Sequence, residues 1–88
     1  MATDRNTVVE KVRMHLADIL EIDAATVSED QSFVDDLGAD SIALIELVDS
    51  LEQEFSVDLP DFQFDDDDLV NLKTVRDAVD YVVAAYAK

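Results

Sequence analysis

Cysteine is absent from this chain, which excludes disulfide crosslinks, a thiol nucleophile and thiolate metal sites together. Glycine and proline occur once each, as Gly38 and Pro60, so there is no Gly/Ser-rich linker and no glycine-rich turn of the kind that builds an oxyanion hole. Positive charge is nearly as scarce. Six Lys and Arg stand against 22 Asp and Glu, for a formal net charge of −16, and neither Lys nor Arg occurs between Arg13 and Lys73. Such a middle stretch repels nucleic acid and anionic membrane, and it attracts partners with basic patches. Acidic surfaces also aid solubility, a plainer reading that stands beside the first. No apolar run approaches the ~20 residues needed to span a bilayer. The opening MATDRNTVVEKV lacks the apolar core of a secretion signal, so a cytoplasmic location is expected.

What is present is enough apolar material to fold. The hydrophobic fraction is 49%, so the acidity does not imply disorder. The length of 88 residues predicts one domain over residues 1–88. Folding at this size buries roughly 60–65% of the unfolded surface. That leaves one modest core with little room for a deep, water-excluding active site, which argues against a conventional enzyme.

Periodicity predicts an all-α chain. From about Asn6 to Leu20, residues Val8, Val9, Val12, Leu16, Ile19 and Leu20 share one side of a helix, with His15 at the edge and Met14 opposite. Residues 21–40 lose the period and read as a long loop, pinned by Phe33, Val34 and Leu37. A second helix fits Ser41 to about Phe55, with Leu44, Leu47, Val48, Leu51 and Phe55 inward. Pro60 blocks continuation. Residues 61–72 can hold a short helix at most, anchored by Phe62, Phe64 and Leu69. Thr74 caps a last helix with Asp77 near its positive end. Its stripe is Val75, Val79, Val82, Val83 and Tyr86, with Tyr81 pointing away. Three main helices, one short helix and a long first loop make a small bundle.

The single glycine comes just before the second helix, where a sharp turn from loop to helix needs backbone angles closed to other residues. Asp40 is a natural N-cap and Ser41 the first helical residue. Asp-Ser before a helix means capping alone in most proteins. Here, however, Ile42 and Ile45 lie outside the core arc, among Ser41, Glu46, Asp49, Glu52 and Gln53. Apolar side chains ringed by carboxylates have the character of a docking face, giving contact area together with steering. Alternatively, the isoleucines cover the long loop or the short helix. Ser41 is a poor nucleophile, because the only histidine, His15, belongs to another helix. It is a good acceptor instead. A phosphate ester there would face unpaired N–H groups and the positive end of the helix dipole.

The motif Leu37-Gly38-Ala39-Asp40-Ser41-Ile42 resembles the attachment sequence of the acyl carrier proteins. Ser32-Phe33-Val34-Asp35-Asp36, Glu46-Leu47-Val48, Leu51-Glu52, Phe55, Leu59-Pro60-Asp61, Thr74-Val75 and residues 78–82 extend the resemblance over nearly the whole chain. It implies a four-helix carrier, not an enzyme, with 4′-phosphopantetheine from coenzyme A on Ser41. The arm's thiol would hold acyl or polyketide intermediates as thioesters. It further implies a magnesium-dependent phosphopantetheinyl transferase, with Asp40 helping to position metal and transferase. Ketosynthase, acyltransferase and other acyl-processing enzymes with basic patches would read Ile42, Ile45, Glu46, Asp49, Glu52, Leu59 and Asp61. Neither nucleic acid nor membrane is a partner on this reading, and the carrier is a monomer. An expandable apolar slot is expected between the helices, lined by Leu47, Val48, Leu51, Leu59, Leu69 and Val75.

Departures from the family pattern touch the recognition surface. Ile42 stands where leucine is usual, and Ala43 and Asp49 stand where an acid and a methionine are common. Asp65-Asp66-Asp67-Asp68 lengthens the connection to Thr74. These features favour a carrier of polyketide or related specialised biosynthesis, with housekeeping fatty-acid synthesis as the alternative. The aspartate run is not a calcium loop, because counting from Asp65 puts Val70 and Arg76 where glycine and glutamate are required. It reads as a solvated connector. A reading from another class, an acidic helical module that works unmodified, is separable by experiment.

Overall fold

Valines at positions 8 and 12 and Leu16 recur at four-residue spacing, and all three are buried on the inward stripe of a helix, α1, running Arg5–Leu20. Glu21 ends it in the left-handed region at φ 56°. The computed structural model describes residues 4–87. It continues with a 3-10 turn at Ala24–Thr26, then α2 (Ser41–Phe55), α3 (Asp66–Asn71) and α4 (Val75–Ala87). α1 packs against both α2 and α4. The fold is an all-α bundle of three main helices and one short one.

The buried side of α2 is Leu47, Val48, Leu51 and Phe55, with Leu44 half-buried above them. α4 contributes Val75, Ala78, Val79 and Val82. Each of the larger side chains gains about 1.5–3 kcal/mol from full burial. Packing therefore holds the helices more than intrinsic propensity does. The start of α4 carries a reciprocal cap. Thr74 Oγ1 accepts from the Asp77 N–H, while Asp77 Oδ2 accepts from the N–H groups of Lys73 (2.9 Å) and Thr74 (3.0 Å).

The long loop is ordered because its backbone has work to do. Gln31 and Glu29 carbonyls accept the N–H groups of Val75 and Arg76, and the Phe33 N–H donates to the Lys73 carbonyl. Ser32 and Thr74 thereby form an isolated antiparallel bridge, so the loop closes the open end of α4. Phe33 is fully buried, and Val27 and Ala39 join it in the core. Val34, expected as a pin, is 62% exposed. The tight turn after Ser32 spends its inward positions on Phe33 and Ala39 and turns Val34 out to solvent.

Tyr81 also departs from expectation. A helical wheel points it outward, but the chain from Ser56 to Asp65 doubles back over that flank. Tyr81 stacks on Phe64 at 4.4 Å and 20°, and its hydroxyl donates to the Gln63 carbonyl at 2.8 Å. Phe62 packs edge-on to Phe55 and Phe64, and Tyr86 edge-on to Phe55. These contacts pin the connection as aromatic pairs do. The aspartate run is not simply a connector either, because its last three residues open α3.

Candidate functional site

The approach to α2 is a self-closed turn. Ser32 Oγ accepts from the N–H groups of Asp35 and Asp36, and Asp36 Oδ2 accepts from the Ser32 N–H at 2.7 Å. The Ala39 N–H reaches back to the Phe33 carbonyl at 2.7 Å. Gly38 then takes φ +68°, a left-handed conformation that costs other L-residues about 1–2 kcal/mol. A Cβ there would meet no atom within 4 Å, so backbone geometry alone, not crowding, calls for glycine.

Asp40 follows in extended backbone and caps α2, its Oδ1 accepting from the Ala43 N–H at 2.8 Å. Ser41 opens the helix and is exposed. The expected arrangement therefore stands: one accessible hydroxyl at the positive end of a 15-residue helix. A sealed Ser41 would have ended the carrier reading.

Among the described residues, the one histidine is not placed to make that hydroxyl a nucleophile. His15 Nε2 is 3.1 Å from Glu54 Oε1, and Glu54 lies about 20 Å along α2 from Ser41 at 1.5 Å per residue. The contact with His15, with Lys11 nearby, holds the Glu54 carboxyl below its usual range. Among the described residues, no group of three His, Cys, Asp or Glu could hold a metal ion, and no helix is long and apolar enough to cross a membrane.

The outward face of α2 is open. Ile42 is 68% and Ile45 59% exposed, so neither serves mainly to cover the loop or α3. Glu46 and Asp49 are exposed on the same helix. Asp49 accepts from the Gln53 amide, and Glu46 has no ion pair among the described residues. Glu52 differs. Its Oε2 accepts from the Phe64 N–H at 2.8 Å, so this half-buried acid also fastens the returning connection to α2.

The remaining two expected contacts lie elsewhere. Leu59 and Asp61 line a cleft with Tyr81, Ala84 and Ala85 of α4; the Leu59 N–H bonds the Phe55 carbonyl at the C-terminal end of α2, and Phe55 itself lies about 21 Å from Ser41 by helix rise. The structure brings Ser41, Ile42, Ile45, Glu46 and Asp49 onto one helix surface and leaves Leu59 and Asp61 apart.

A groove of about 240 Å³ runs beside Ser41, lined by Leu44, Ile45, Leu69, Val70 and Leu72. Of the residues expected to line a slot, only Leu69 does so. Leu47, Leu51 and Val75 are fully buried in the core. Val70 and Leu72 were missed because a six-residue helix is too short for its facing side to be read from periodicity. The Ser32–Asp36 turn was missed too, although a serine three and four residues before aspartates is a local signal for such bonds.

Comparison with known proteins agrees with this geometry. The family model described as phosphopantetheine attachment site matches residues 10–82. An acyl carrier protein of Clostridium acetobutylicum is 42% identical over 77 residues, covering 88% of this chain and 94% of the relative. The acyl carrier protein AcpP of Rhizobium meliloti is 44% identical over 80 residues, covering 91% and 96%. The solved acyl carrier protein of Enterococcus faecalis superposes with a TM-score of 0.74 at 35% identity, covering 94% of this chain and 99% of that one. These names are general, and none of the three specifies a polyketide pathway. They favour the housekeeping alternative over the specialised role that the departures in α2 suggested.

Proposed function

The chain belongs to the acyl carrier proteins, non-catalytic carriers bearing 4′-phosphopantetheine, and on that premise we propose that Ser41 is the residue to which the group is joined. The observation that carries the assignment is the exposed hydroxyl at the capped start of α2. The residues there fit a phosphate ester: the first N–H groups of α2 lack intrahelical acceptors, and the helix dipole favours an anion. The Asp40 side chain takes up the Ala43 N–H, and its carbonyl takes up that of Leu44. Once bound, the group supplies the thiol that a chain without cysteine lacks.

The chain's own contribution is presentation. Gly38 and the closed Ser32–Ala39 turn hold Ser41 at the rim, and the buried face of α2 keeps it from retreating inward. Ile42 and Ile45 offer apolar contact, while Glu46 and Asp49 steer basic partners and set their register. A phosphopantetheinyl transferase and acyl-processing enzymes are the partners that the family implies. Ketosynthase and acyltransferase with basic patches are the specific forms proposed here.

The pathway proposed is fatty-acid synthesis, supported by general acyl carrier proteins that match over nearly their full length. Incubation with coenzyme A, magnesium and a broad-range transferase should add one prosthetic group by mass, and Ser41→Ala should gain nothing. An unmodified wild type, under conditions that load a control carrier, refutes the site. For the pathway, the loaded protein should accept malonyl groups from a fatty-acid malonyl transferase and support growth of a bacterium depleted of its own carrier. Loading at Ser41 without either outcome would leave the carrier intact and overturn the pathway.

A further inference from the structure

The cleft that separates Leu59 and Asp61 from Ser41 has a volume of about 420 Å³, larger than the groove beside Ser41. One wall is the turn Asp58-Leu59-Pro60-Asp61, and the other is the flank of α4 at Ala84 and Ala85, whose small side chains leave the space open. Its walls are set in advance. Tyr86 OH donates to Asp58 Oδ2 at 2.9 Å, and Tyr81 OH donates to the Gln63 carbonyl at 2.8 Å. The Phe64 N–H is fixed on Glu52.

Charge identifies the occupant. Asp58 and Asp61 stand at the cleft, and among the described residues no Lys or Arg lines it. Arg5, Lys11, Arg13 and Arg76 are all engaged in ion pairs elsewhere. A second copy of this chain, at net charge −16, would bring further carboxylates to the same place. We propose that this cleft is a second docking site, which takes an apolar side chain flanked by Lys or Arg from a partner protein and leaves the Ser41 end of α2 free. A protein bound there holds the molecule by its far end while another enzyme works at Ser41. The cleft is independent of the attachment reading, because its geometry uses none of the residues around Ser41.

The test uses the isotopically labelled full chain, loaded with its prosthetic group. The probe is a synthetic helical peptide of Leu, Ala and Arg, and the control is the same peptide with Glu for every Arg. Amide resonances of Leu59, Gln63, Tyr81, Ala84 and Ala85 should move with the Arg peptide and stay put with the Glu peptide. Ala84→Gln, which fills the floor from an exposed helical position, should weaken that site by roughly tenfold. Asp61→Asn should weaken it by about threefold. Transferase loading of Ala84→Gln should proceed at the wild-type rate. Shifts confined to Ile42–Asp49, equal movement with the Glu peptide, or unchanged affinity in Ala84→Gln would each overturn the proposal. Should Ala84→Gln lose helicity, Asp61→Asn decides by itself.

Discussion

Where α1, the long loop and α4 meet, and where α1 meets α2, charge is used to fasten. Arg5 bridges Glu29 of the long loop and Asp80 of α4, Arg76 reaches Asp30 at 2.6 Å, and Lys11 reaches Glu54 at 3.4 Å. The hydrogen bonds that Arg5 donates to Asp80 and Glu29 push its pKa up. On the outward face of α2 the arrangement is reversed. Glu46 and Asp49 have no cation opposite them among the described residues, and Ile42 and Ile45 stand in water. Exposed ion pairs are individually weak, about 0–1 kcal/mol, so the fastened side gains register for its loop more than raw stability. The open side keeps its acids unpaired, which costs some self-repulsion and leaves the field free to attract a basic partner. The two sides differ in what their charges do.

The sharpest way to break that contrast is to cut one large side chain on each side. Phe33→Ala empties a fully buried site and should cost about 3–5 kcal/mol, read as a fall in the denaturant midpoint. Ile42→Ala should leave stability within about 0.5 kcal/mol and slow transferase loading. A stability loss for Ile42→Ala comparable to that of Phe33→Ala would erase the distinction.

Reversing charge on the open face comes next. The double variant Glu46→Lys/Asp49→Lys should slow association with the transferase by roughly tenfold and flatten its salt dependence, with unchanged helicity by circular dichroism. Equal rates across salt would remove the steering role. Glu52 makes a poor partner for that experiment, because its substitution also releases Phe64.

The boundary between the sides is the turn into α2. Gly38→Ala should lower stability by about 1–2 kcal/mol through backbone strain alone. Asp40→Ala should lose about 1 kcal/mol of capping, whereas Asp40→Asn keeps a cap and removes the charge. If Asn restores thermal stability but not loading, the carboxylate itself serves the transferase; full recovery of both makes Asp40 a cap only.

The smallest effect belongs to acid. Burial opposes the charge on Asp77, but hydrogen bonds from Thr74 and Lys73 outweigh it and leave its pKa lowered. Glu54 is lowered by His15 and Lys11. The unfolded chain binds these protons more readily, so their contribution is complete above the ordinary carboxylate range and fades as pH falls through the lower folded values. His15→Gln should move the acid-unfolding midpoint upward, and an unmoved midpoint would deny that Glu54 depends on His15.

Much of this was legible beforehand at particular positions. The bounds of α2 could be read because Asp40, the inward leucines and Pro60 each act locally. Phe33 as a pin and Gly38 as a left-handed turn followed for the same reason. Val34 and Tyr81 were misplaced because a wheel or a loop pattern does not say which segment will fold over a given flank. The wheel puts Glu52 on the outward face but says nothing of its hydrogen bond to the backbone of Phe64, twelve residues away. The departures in α2 were read as a pathway signal, yet the general carriers that match this chain favour the plainer role.

The sequence by itself determined where the three main helices begin, which stripes turn inward, and that one serine stands at a capped helix start. Those features depend on side-chain chemistry within a turn or two of each residue. Tertiary structure alone decided which carboxylates are fastened and which are free, and that Leu59 and Asp61 share a cleft with α4 and not a face with Ser41. Such outcomes depend on how segments far apart in the chain cover one another, and local chemistry carries no record of that.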